Sequence, residues 1–399
     1  MKAHLFDLDS VVVTRAFRTP IGKFCGAFKG TDAVRLATNL MKGGLEGAPE
    51  HMDADTLILG MARQAGAGPN PARQVQVFSG MPEDRTAWTL NMACGSGLLA
   101  LVQSAQAVIS MGGVSICGGM ENMTQVPFIL PQMRLGYRLG HAKLHDNMYE
   151  DVFHCRLADQ LMGATAETLA DDYSIKREEQ DAYALESQRR CALAAKRGVW
   201  KEEIVPIPVQ EKAGTVTVSE DEHPRAQTTL DELAKLAPVF RDGGSVTAGN
   251  SSGITDGAAA MVVMSGKEAR RRGLEPLATV KGYAQCGVDP KRMGLGPVPA
   301  TRGLLEAAGL TMKDIGLVEL NEAFAAQVLA CERELRIGSE RLNVNGGSIA
   351  LGHPIGCTGA RISVSLLHEM RRRGTRFGVA TLCISGGQGL SVLFERGQS

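Results

Sequence analysis

The chain has 399 residues, of which 44% are hydrophobic and 22% charged, the balance of a folded enzyme-sized protein of two or three domains or one large α/β assembly. Lys plus Arg and Asp plus Glu number 43 each, so no global field selects nucleic acid or an anionic membrane, and any anionic ligand must be held by local groups. No apolar run approaches the ~20 residues a membrane helix needs. The nine cysteines contain no CxxC zinc or redox pair, and their odd number in a long chain argues against a disulfide framework.

The N-terminus, "MKAHLFDLDSVVVTRAFRTP", carries Asp7 and Asp9 and runs straight into strand-like "VVVT", without the basic and apolar regions of a secretory signal. The "RGQS" end is no peroxisomal address, so the cytoplasm is expected. Strand-like "VVVT", "TLILG", "AWTLN" and "VSIC" alternate with helix-like runs, which predicts a mainly parallel sheet with helices on its faces. Leu98, Leu101, Val102, Ala105, Val108 and Ile109 recur at three and four, which predicts a helix over 97–111.

From 124 to 249 the texture changes to an irregular Met- and aromatic-rich stretch. A charged helix follows, with Ser174 as expected N-cap and Gly198 as stop. His141, His145, His154 and Cys155 lie in that insertion but lack a zinc spacing, so no metal is expected. The βα pattern returns in "AAAMVVMS", "LATVKGYAQ", "LVEL" and "VATLCIS".

An echo links the two ends of the chain. Gly97 and Gly112, and Gly359 and Gly374, are each 15 positions apart and bound a helix; Asn, small residues and Cys precede each pair, and a strand, a Cys and two glycines follow. This predicts two similar halves whose helix N-termini face each other across a pseudo-twofold.

Four residues stand out chemically. Cys94, in "NMACGSGL", sits where a strand stops and a helix starts; it is core filler or a nucleophile favoured by the helix N-terminus. His353 stands in a loop of small residues, bonded to backbone or acting as a base. Cys383 ends the strand "VATLC" before Ser385, Gly386, Gly387 and Gly389, a turn able to point N–H groups at an oxyanion. Asn321 lies between strand and helix as a cap or a holder of water.

Together, the strings "NMACGSGL", "GGMENMT", "MGATAE", "TAGNSSGITDGAA", "LNEAFA", "NVNGGSIALGHPIGCTGAR" and "LCISGGQG" closely resemble the thiolase family, from about residue 12 to residue 395. The resemblance implies an α/β thiolase fold: two similar βαβαβαββ halves in a five-layered α-β-α-β-α arrangement with an inserted loop domain. It places the first half at 1–123 plus 250–270, the loop domain at 124–249 and the second half at 271–399. It also implies a homo-oligomer, dimer or tetramer, acting on acyl-CoA and CoA, with coenzyme A as substrate and no metal or redox cofactor.

By the same resemblance, Cys94 becomes acylated, His353 takes its proton and Cys383 is the acid/base for the second substrate. Asn321 holds a water that completes one oxyanion hole with His353; the N–H groups of Cys94 and Ser385 form the other. Ser252, Arg225, Ala248, Met162, Leu161, Phe324 and Gly386 are the implied CoA and acyl contacts. Two positions depart from the family pattern. Leu161 stands where short-chain enzymes commonly carry His, which allows an oilier acyl pocket. Ser385 stands where Gly is usual, which costs strain if the site needs φ above zero. The competing readings are a ketosynthase-like condensing enzyme and a non-catalytic acyl-CoA-binding relative; Cys383 and Asn321 at the partner positions favour the thiolase.

Overall fold

A computed structural model describes residues 2–7 and 11–397; Asp9 and the final Gln398 and Ser399 lie outside them. The principal elements of the first half are β1 (Lys2–Leu5), β2 (Val12–Arg18), α1 (Ala33–Gly44), β3 (Thr56–Gly60), α2 (Pro71–Ser79), β4 (Thr86–Leu90), α3 (Ser96–Met111) and β5 (Val114–Asn122). The insertion carries α4 (Met162–Asp172) and α5 (Arg177–Lys196), and β6 (Thr255–Met264) follows it. The rest comprises β7 (Ala278–Gly287), α6 (Pro297–Ala307), β8 (Leu317–Leu320), α7 (Ala325–Leu335), α8 (Ile355–Arg373), β9 (Phe377–Ile384) and β10 (Gln388–Glu395).

The principal strands run β8-β9-β10-β7-β2-β6-β5-β3-β4, and β7 meets β2 at only two residue pairs, Ala278 with Val13 and Thr279 with Val12. On either side of that narrow joint the topology repeats. β4, β3 and β5 are parallel, then β6 and β2 antiparallel; β8 and β9 are parallel, then β10 and β7 antiparallel. A bridge from Val318 to Leu342 supplies the counterpart of β4.

Burial on both faces explains the unbroken apolar runs. Along β6, Ala258, Ala260, Val262 and Met264 face α1 and α2, while Ala259, Met261 and Val263 face α3 and α8. α6 and α7 cover the far side of the second sheet. The layers are therefore α1/α2, sheet, α3/α8, sheet, α6/α7, the expected five.

The echoed glycines lie where α3 crosses α8. A Cβ on Gly97 would come 2.7 Å from Ala360 N, and one on Gly359 would come 2.3 Å from Leu98 N. Only hydrogen fits between backbones this close. This central position also corrects the expectation that no apolar run approaches a membrane span: Ala93–Met111, 19 residues, is long and apolar enough to cross one, yet is mostly buried between the sheets.

The sheet is mixed rather than mainly parallel, because antiparallel strands follow the parallel ones in each half. Three local expectations also need correction. Ser174 is not the N-cap of α5: it has φ +50°, and Lys176 occupies the cap, its N–H held at 2.9 Å by Glu179 Oε2. α8 begins at Ile355 rather than Gly359, because Pro354 already fits the N-cap. β1, counted with the first half, pairs instead with β7 of the second, where His4 stacks on Tyr283 at 5.1 Å.

Candidate active site

Both turns that carry cysteines are built by local hydrogen bonds. After β4, Asn91 Oδ1 accepts from Ala93 N at 2.8 Å, and Ser96 Oγ accepts from Met92 N at 2.9 Å and donates to Ala93 O at 2.7 Å. Ala93 takes the left-handed conformation, φ +47°, at a cost of about 1–3 kcal/mol. The turn delivers Cys94, half-buried, to the start of α3. A Cβ on Gly95 would lie 2.7 Å from Ile384 Cδ1, so this turn abuts the end of β9 from the other half.

Cys383 is in that strand, paired with Gly389, before the Ser385-Gly386-Gly387 turn. Gly386 and Gly387 have φ of +88° and +84°; Ser385 is not among the positive-φ residues. The strain that Ser385 threatened therefore falls on two glycines that tolerate it. The Ser385 backbone N–H lies close enough to the Cys94 sulfur to favour its thiolate. Burial pushes the Cys94 thiol up, and the Ser385 N–H and the Arg63 guanidinium pull it back. Burial raises Cys383 well above the usual thiol range, and charge on Cys94 raises it further. The two sulfurs thus share one electrostatic neighbourhood.

His353 is held by its N–H to Gly253 O at 3.0 Å. Its Nδ1 lies 2.6 Å from Thr358 Oγ1, and that hydroxyl donates to Pro354 O at 3.0 Å. With its proton engaged there, Thr358 accepts from Nδ1–H, and Nε2 is left as the bare lone pair. Nε2 is buried without a hydrogen-bond partner among the described residues. Burial, and then the Arg361 charge, lower the imidazole to about 3, so it is neutral at pH 7.

Asn321 follows β8, its N–H on Thr381 O at 3.0 Å, two residues before Cys383. Its Oδ1 accepts from Ser348 Oγ at 2.6 Å, and its Nδ2 is a buried donor without a partner among the described residues. The fold thus supplies an unused base and an unused amide donor, each fixed through its other polar atom.

Phe324 packs with Cys383, Ala166, Val246, Met293 and Ala323, and Met162 lies against this cluster. Ser252 N bonds to Ala323 O at 3.0 Å, tying the "GNSSG" loop to the same place. Gly386 lies beside Leu157, whose Cδ1 would be 3.5 Å from an added Cβ. Leu161 precedes α4 and pairs with His154; no contact brings it to the cysteines.

Arg225 and Ala248 line a separate cavity of about 420 Å³ with Gln188, His223, Gly249 and Ile349. His223 links that cavity to His353: its Nδ1 is 2.7 Å from Ala350 O, and a Cβ on Gly253 would come 1.9 Å from its Nε2. In the insertion, His145 pairs with Glu150 at 2.8 Å and His154 with Asp159 at 3.5 Å.

Sequence reasoning missed Arg63, Glu121, Ser348, Thr358 and Arg361. Glu121 accepts from Ala62 N, Arg63 N and Gly356 N at 3.0, 3.1 and 2.8 Å, fixing the loop after β3 to the start of α8. The five-residue step from His353 to Thr358, into a helix start, was the one signal on the page.

Residues 11–267 match the family described as thiolase, N-terminal domain, and residues 274–396 match thiolase, C-terminal domain. The acetyl-CoA acetyltransferase of Pseudomonas aeruginosa is 48% identical over 394 residues, covering 98% of this chain and all of that one. That of Escherichia coli K12 is 47% identical over 392 residues, with 98% and 100% coverage. Among solved structures, Bacillus anthracis acetyl-CoA acetyltransferase superposes with TM-score 0.95 at 44% identity, over 97% of this chain and 98% of that one. Human mitochondrial 3-ketoacyl-CoA thiolase in complex with CoA gives 0.93 at 41% identity, with 97% and 98% coverage.

Proposed function

The chain belongs to the thiolase family, and on that premise we propose that it is an acyltransferase working through an acyl thioester on Cys94. In thiolysis, the Cys94 sulfur attacks the ketone carbon of a 3-ketoacyl-CoA as its proton passes to His353 Nε2. The tetrahedral oxyanion is held by the backbone N–H groups of Cys94 and Ser385. Cleavage of the bond between the carbonyl carbon and the α-carbon leaves the acyl group on Cys94 and releases the acetyl-CoA enolate, which Cys383 protonates. The Asn321 amide, through a water, and His353 stabilise the enolate oxygen. The CoA thiol then gives its proton to the Cys383 thiolate and attacks the acyl-cysteine, and His353 returns its proton to the departing Cys94 sulfur. Run backwards, the same steps condense acetyl-CoA with an acyl-CoA. Atoms balance without a metal or redox cofactor, with coenzyme A as a substrate.

The single observation that carries this reading is the abutment of the two cysteine turns from opposite halves, where a Cβ on Gly95, next to Cys94, would lie 2.7 Å from the side chain of Ile384, next to Cys383. Pre-aligned oxyanion donors are worth roughly 2.7–4 kcal/mol each in the barrier. For chain length, we favour 3-ketoacyl-CoA substrates longer than acetoacetyl-CoA. The support is the apolar wall packed on Cys94, formed by Met148, Val152, Ile355, Val126 and Phe153. We also propose a cytoplasmic β-oxidation role and a homo-oligomer, dimer or tetramer. The edge strand β4 leaves Trp88 and Leu90 only partly buried, and Leu135 and Leu139 are almost fully exposed.

The test is consumption of 3-ketoacyl-CoA esters of increasing length in the presence of CoA, with mass spectrometry of the protein quenched before CoA is added. Acyl mass on the Cys94 peptide and thioester consumption are expected. No turnover of any length, or label on another cysteine, refutes the proposal.

A further inference from the structure

Arg361 is a cation buried to 1% exposure, and its Nε and Nη1 have no hydrogen-bond partner among the described residues. Its Nη2 lies 2.9 Å from Ser348 Oγ, and Glu319 Oε2 is 3.7 Å from Nη1. A guanidinium only donates, so the Ser348 oxygen accepts from Arg361. The Ser348 proton is thereby free for its other neighbour, Asn321 Oδ1, at 2.6 Å. The guanidinium offers Ser348 no acceptor, so the Ser348 proton goes to Asn321 Oδ1, the acceptor it has among the described residues.

An Asn carboxamide can rotate by half a turn and exchange its oxygen for its nitrogen at little steric cost. The unpartnered Nδ2 is useful as a donor only if that flip is prevented. A flipped amide would take the second lone pair of Ser348, deprive the Ser348 proton of its acceptor, and present a carbonyl oxygen where a donor is needed. We propose that Ser348 and Arg361 are positioning residues for the reaction: the buried guanidinium polarises the Ser348 hydroxyl, which locks the Asn321 carboxamide with its N–H groups toward the reacting thioester. Neither residue touches substrate. The device rests on the thiolase reading above and deepens it, since it assigns the orientation of Asn321 to residues outside the four that carry the chemistry.

Two further observations fit. Burial pushes the Glu319 carboxyl up to about 8, so the guanidinium acts on Ser348 without a full countercharge. The same guanidinium disfavours a charged His353, so one buried cation keeps both the base neutral and the donor oriented.

The experiment compares Ser348→Ala, Asn321→Ala and the double variant in thiolysis of the best 3-ketoacyl-CoA, with thermal melts to show that each is folded. Ser348→Ala removes one oxygen from a short helical segment. It is expected to lower kcat about 5- to 30-fold, with KM within about twofold, since a charge-assisted bond is lost away from the substrate. The double variant is expected to match Asn321→Ala within about twofold, because the hydroxyl acts only through that amide. Ser348→Thr, which keeps the hydroxyl, is expected to recover most of the loss.

Two results overturn the proposal: unchanged kcat in Ser348→Ala, or losses in Ser348→Ala and Asn321→Ala that multiply in the double variant. A drop in melting temperature with kcat per folded enzyme unchanged assigns Ser348 to stability alone and refutes the positioning role. A wild-type enzyme without turnover overturns the functional reading itself, and the positioning device with it.

Discussion

Thr358→Val probes the base. The Thr358 hydroxyl is 2.6 Å from His353 Nδ1 and donates to Pro354 O, so it acts as the acceptor that keeps the imidazole proton on Nδ1. Valine fills nearly the same volume and accepts nothing. The tautomer with the proton on Nδ1 then leaves a buried N–H unsatisfied, a penalty of about 1–3 kcal/mol. At 0.59 kcal/mol for RT, that shifts the tautomer ratio about 5- to 150-fold toward the form whose Nε2 is already protonated and cannot act as a base. The expected result is a kcat lower by a factor in that range, with KM for the acyl-CoA nearly unchanged. The rate at which iodoacetamide alkylates Cys94 should fall in parallel, because the same base assists both reactions. Steady-state kinetics and alkylation followed by mass spectrometry measure the two. Wild-type kcat and alkylation in a folded Thr358→Val enzyme would show that Thr358 does not set the tautomer.

Gly359→Ala forces a methyl to within 2.3 Å of the α3 backbone, so it should cost at least about 1–3 kcal/mol and lower the melting midpoint, whereas Gly30→Ala, with nothing within 4 Å, should leave it unchanged. Because His353 is held down to about 3 from 6.5, the unfolded chain binds its proton first as pH falls; stability from this group is full above 6.5 and lost as pH drops toward 3. Urea melts at pH 7 and pH 5 should therefore differ by about 2 kcal/mol more in the wild type than in His353→Gln. Arg225→Ala should raise KM for CoA and leave kcat nearly unchanged, as removal of an interaction equal in ground and transition states does; a kcat loss would place Arg225 nearer the chemistry.

The sequence reveals most where physics acts on neighbours along the chain. The apolar run of β6 is legible because both faces of that strand are covered. Gly97 and Gly359 repeat because two backbones touch there. β1 escaped notice because four residues with little burial leave no period to read. Ser174 misled because a serine before a helix has the chemistry of a cap, and only its φ shows that Lys176 holds that place. Cys94, His353, Cys383 and Asn321 were each ambiguous alone, and the family resemblance, not spacing, grouped them. Ser348, Thr358 and Arg361 were invisible because their work is done across the fold: a serine and a threonine at short helical turns look like caps, and nothing local tells that Arg361 is buried. Their signal is the direction of a hydrogen bond, which a sequence does not write.

The shared helical floor, α3 from one half and α8 from the other, has a consequence for how the enzyme comes into being. Neither repeat can hide the oily underside of its own sheet; each depends on the other's helix as a lining. The turn that carries the Cys94 thiol likewise meets the Ile384 side chain, and the loop that carries the His353 imidazole, only when the sibling repeat is in place. If the proposed acyl transfer holds, competence is expected to wait for the trailing repeat to dock.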